Sequence, residues 1–69
     1  MTVDKLNEAL EALIDATNCE AVCLGLATVC HEKSAHLASN WQDKDAARRW
    51  YQMAQRFTTI AGAAERRGI

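Results

Sequence analysis

The sequence contains no proline, three glycines (Gly25, Gly62 and Gly68) and 6% aromatic residues. With so little of either turn-former, β-hairpin turns have no obvious seat. No apolar run reaches the roughly 18 residues needed to span a bilayer. The opening Met1-Thr2-Val3-Asp4-Lys5 has no basic region followed by an apolar stretch, so no signal peptide is expected. No internal repeat or low-complexity segment is visible. A net charge of −1 excludes a strongly basic nucleic-acid binder and an acidic disordered tail. The three cysteines are an odd number, and with nothing suggesting export, a disulfide framework is not expected. A cytoplasmic, non-membrane protein is the expectation.

What is there is a chain of 69 residues, 49% of them apolar, read as a single helical domain over residues 1–69. A chain of this size buries only about 60% of its unfolded surface. Small scaffolds therefore need a staple such as disulfides, a metal or oligomerisation. Self-association, most simply as a homodimer, is the expected staple, and a metal is the weaker one.

Good helix formers dominate the composition, and three helical segments follow. The first, about 3–16, places Val3, Leu6, Leu10 and Leu13 on one stripe with Ile14 beside them, and Thr2 as its cap. The second, about 19–39, begins after Thr17-Asn18-Cys19-Glu20, which fits a capping box with Thr17 as cap and Glu20 reaching back. Its stretch from Ala21 to Cys30 carries no charge, as expected of a helix buried on more than one side or shared with another copy. Self-association is expected at Val22, Leu24, Gly25, Leu26, Thr28 and Val29. The third segment, about 43–67, follows a turn where Asn40 or Asp43 can cap. Its apolar face runs through Ala46, Ala47, Trp50, Met53, Ala54, Phe57, Ile60, Ala61 and Ala64, and Arg66-Arg67-Gly68 reads as its end. The expected fold is an all-α three-helix bundle.

The net charge hides a polarity. In residues 1–20, Asp4, Glu8, Glu11, Asp15 and Glu20 stand against Lys5. In residues 41–69, Lys44 and five arginines stand against Asp43, Asp45 and Glu65. The acidic first helix is expected beside the basic third one, within a subunit or across an interface. Arg48, Arg49, Tyr51 and Arg56 are the exposed candidates for binding a protein partner. Basic residues next to aromatics also serve nucleic-acid binding, but Trp50 falls on the apolar face and is expected in the core, so nucleic acid is the less favoured partner.

Cys19, Cys23 and Cys30 share one helix face. Soft-metal binding or redox chemistry is one reading of them. Their C-x3-C and C-x6-C spacings match no zinc-knuckle pattern, and buried cysteine acting as a small hydrophobe is the favoured reading. Cys19 stands apart in the first helical turn, where the helix dipole favours a thiolate. His31 and His36 lie too far apart around the helix to form the i, i+4 metal pair of a zinc protease and are read as surface residues. There is no phosphate loop, no serine elbow and no paired carboxylates, so neither a cofactor nor enzyme activity is expected. Trp41-Gln42-Asp43, between two helices, resembles over three residues the Trp-x-Gly turn of small secreted helical hairpins. Asp43 stands where glycine belongs, and a further capped helix precedes it, so no function is carried over. Trp41 is expected to plug the bundle end. The sequence thus points to a non-enzymatic interaction or regulatory protein, with a thiol module and a nucleic-acid-associated regulator as alternatives.

Overall fold

The computed structural model describes residues 2–41 and 43–69, with Trp41 described in its backbone alone. The protein is all-α, with three helices: α1 (Val3–Ala16), α2 (Cys19–His36) and α3 (Lys44–Arg67). A π-helical turn, Leu37–Trp41, extends α2 into the connection to α3.

Each helix begins on a side-chain cap that accepts the N–H three residues on. Thr2 Oγ1 accepts from Lys5 at 3.2 Å, Asn18 Oδ1 from Ala21 at 2.7 Å, and Asp43 Oδ1 from Ala46 at 3.0 Å. The cap of α2 is therefore Asn18, one residue after the expected Thr17. The Thr17 hydroxyl is engaged elsewhere: it donates to the Leu13 carbonyl at 2.6 Å and closes the end of α1. α3 stops at Gly68, whose φ of 72° lies in the left-handed region that glycine enters without steric cost. Gly68 N–H donates to the Glu65 carbonyl and Ile69 N–H to that of Ala64, the paired bonds of a Schellman motif.

α2 and α3 pack as an antiparallel hairpin. At one end, the Ser34 hydroxyl donates to the Ala47 carbonyl at 2.7 Å. At the other, the Ile69 carbonyl accepts the N–H groups of Cys19 and Glu20 at the start of α2. Between them runs a seam of small side chains. α2 supplies Cys23, Ala27 and Cys30; α3 supplies Ala47, Ala54 and Ala61, spaced by seven, together with Ala64. Spacing of this kind keeps one narrow face turned toward a neighbouring helix, and small side chains let the two backbones approach closely. Cys23 and Cys30 contribute to the seam as small, weakly polar side chains.

Among the described residues the seam is also the whole of the buried core. Among the described residues no large side chain is fully buried. Trp50, expected in the core, is 39% exposed, and Met53 and Ile60 of the same face are more exposed still. The apolar face of α3 is wider than one neighbour covers: the alanine side is buried against α2, and Trp50, Met53 and Ile60 beside it stay substantially exposed. α1 has no buried residue; the chain turns by 120° between it and the helix that follows. Among the described residues α1 touches α2 near their junction and does not touch α3. The acidic and basic helices are therefore not paired within one chain. The plugging role expected of Trp41 concerns a side chain outside the described residues.

Candidate interaction surface

The 120° turn leaves an open V between α1 and α2. Its groove of about 340 Å3 is lined by Leu10 and Leu13 of α1 and by Val22, Gly25, Leu26 and Val29 of α2. Thr17 brings the groove its one hydroxyl, which is already committed to the Leu13 carbonyl. Binding sites for small molecules add a few convergent polar groups to an apolar cavity. This groove has none, so it suits an apolar side chain or helix rather than a reacting substrate.

Of the residues expected to mediate self-association, Val22, Gly25, Leu26 and Val29 are gathered in the groove. Leu24 and Thr28 are exposed outside it, with the Thr28 hydroxyl donating back to the Leu24 carbonyl. A Cβ added at Gly25 would meet nothing within 4 Å, so the chain's own packing does not demand glycine there. Adjoining the seam on the same side of the hairpin, Trp50, Met53 and Ile60 continue the apolar surface onto α3. Ala46, Arg49, Trp50 and Met53 border a second shallow depression of about 260 Å3.

The candidate partner-binding residues Arg48, Arg49, Tyr51 and Arg56 are all exposed, but they do not form one patch. Tyr51 lies on the opposite flank of α3 from Met53. Its ring meets that of His31 edge-on, with centroids 5.5 Å apart, and its hydroxyl accepts from Gln55 Nε2 at 2.8 Å. Arg49 and Arg56, seven residues apart, line one side of the stripe bearing Met53 and Ile60. Expected exposure groups all four residues together, whereas angle around the helix separates Arg49 and Arg56 from the other two.

Cys23 and Cys30 are buried in the seam and Cys19 is half-buried at its end. Burial pushes the Cys23 thiol above its ordinary pKa, and a hydrogen bond and charge interaction with Cys19 raise it further. A thiol held in its protonated form is a poor nucleophile and a poor metal ligand. Among the described residues no group of three His, Cys, Asp or Glu side chains is placed to hold a metal ion. His31 and His36 are both exposed, as expected. Among the described residues no single helix is long and apolar enough to cross a membrane. No family model, no curated protein and no solved structure matches the chain.

Proposed function

We propose that the protein is a non-enzymatic interaction module whose working form is a self-associated pair of chains. The observation that carries this reading is the surface left uncovered. The chain exposes 5404 Å2, against about 4,300 Å2 expected of a compact protein of its mass. Its radius of gyration of 13.7 Å exceeds the roughly 11 Å of a compact chain of this length. The excess of about 1,100 Å2 is comparable with the roughly 800 Å2 that each partner contributes to a standard protein–protein interface. Large apolar side chains contribute to this exposed surface: Leu13, Val29, Met53 and Ile60 are each exposed by 45% or more. Isolated surface hydrophobes are ordinary, but contiguous ones mark an interface.

The reading is tested by thermal unfolding, followed by circular dichroism, across a hundredfold range of concentration. Where folding is coupled to association, mass action raises the midpoint with concentration. A midpoint that stays constant over that range overturns the proposal.

A further inference from the structure

We infer that two copies interlock through their Vs: the α1 helices lie side by side, antiparallel about a two-fold axis, and the outer half of each packs against α2 in the groove of the other. This rests on the self-association proposed above and adds the elements that meet and their orientation. The size of the opening points to a helix as the occupant. A turn of 120° sets the axes of α1 and α2 about 60° apart. With 14 residues at about 1.5 Å each, the outer end of α1 stands about 18 Å from the axis of α2. A helix seated between two others keeps about 8–10 Å from each, so the mouth of the V takes one helix and no more.

The groove offers no free polar group, so that helix must present an apolar stripe. α1 has one. Leu10 and Leu13 form a wall of its own groove, while Val3 and Leu6, nearer the outer end, are exposed and line no groove of their own chain. At about 100° per residue, Glu8 lies opposite the stripe, with Asp4 and Asp15 on the same back face. Seating the stripe therefore leaves these three carboxylates in water. A foreign helix would fill the groove and leave Val3 and Leu6 bare; a second copy fills the groove and covers them together. Because α1 is both wall and insert, a two-fold axis that seats one arm seats the other, and the pair closes. The uncovered excess of about 1,100 Å2 is on the scale of the roughly 800 Å2 that one partner brings to a standard interface.

The test begins with the wild type. In a dimer formed from isotope-labelled and unlabelled chains, intermolecular NOEs are expected from the Leu6 and Leu10 methyls of one copy to α1 and to the Val29 methyls of the other. Two full-length variants follow, each weighed by sedimentation equilibrium with helicity checked by circular dichroism. Leu6→Glu alters the insert at a residue outside its own groove. Gly25→Glu alters the receiving wall, where a side chain meets nothing within 4 Å in its own chain. Glutamate is a better helix former than glycine and stays hydrated in the open groove of a single chain, but in the pair it is buried without a partner. Each variant is expected to lose about tenfold or more in self-affinity, and Glu8→Gln, on the back of α1, to keep the wild-type value. A wild-type monomer overturns this inference together with the self-association it rests on. A wild-type dimer whose intermolecular NOEs are confined to Trp50, Met53 and Ile60 overturns this inference alone. So does a dimer that Leu6→Glu and Gly25→Glu leave at wild-type affinity. If a variant fails to fold, the wild-type NOEs decide.

Discussion

Ala54 is 0% exposed at the middle of the α2–α3 seam, and the other buried residues of that seam are alanines and cysteines. A seam of such small groups has no slack for extra carbon. Ala54→Leu forces the helices apart and is expected to cost about 1–3 kcal/mol, read as a drop in the urea midpoint. The same change at Ala9, exposed on α1, should leave the hairpin within about 0.5 kcal/mol of wild type. Cys23 carries a pH signature as well. Its folded pKa is raised by burial and by Cys19, so above the ordinary thiol value of about 8.5 the folded chain keeps a proton that the unfolded chain has lost. The stability contributed by the neutral thiol is complete below that pH and falls as pH rises through the folded pKa. Urea midpoints from pH 7 to 10 should fall, and Cys23→Ala should flatten part of the fall; an identical slope in the variant would show that this thiol plays no part.

At the scale of the helices, what local chemistry decides was legible in the sequence. Thr2, Asp43 and Gly68 mark helix ends because capping is a contact of a few residues. The alanines of α3 and the cysteine face of α2 indicated the buried stripe because helical periodicity alone puts them together. Two features were not legible, for different reasons. Thr17 and Asn18 are both capping residues, and the choice between them turns on the Thr17 hydroxyl bonding backward to Leu13 instead of forward. Trp50 lies on an apolar face too wide for one neighbour, and which part is covered depends on where α1 goes, a matter of tertiary packing beyond the period of α3. The placement of α1 has a kinetic consequence. Among the described residues α1 is covered within one chain by α2 alone, near their junction, so its amides should exchange with solvent quickly in dilute samples and gain protection as concentration rises. The amides of the seam should depend on concentration much less. Equal protection of α1 at the lowest and highest concentrations would mean that its cover comes from its own chain.

At the scale of the molecule, the three helices make an open hairpin with a splayed arm, 38 × 31 × 14 Å, rather than an evenly packed bundle. A buried core of alanines and cysteines offers little apolar area for a chain that must offset the conformational entropy of folding. The large side chains that would ordinarily supply that area, Leu13, Leu26, Trp50, Met53 and Ile60 among them, stand at the surface. The charge polarity that nearly cancels in the net value of −1 is spread over two helices that do not touch within the chain. Under the proposed self-association, a second copy covers that exposed apolar surface. The most direct test is the molar mass in solution, measured by sedimentation equilibrium at tens of micromolar and moderate salt, with helicity recorded on the same samples. A mass near twice the 7.6 kDa of one chain is the expected result. A fully helical, stably folded species at the mass of a single chain would contradict it.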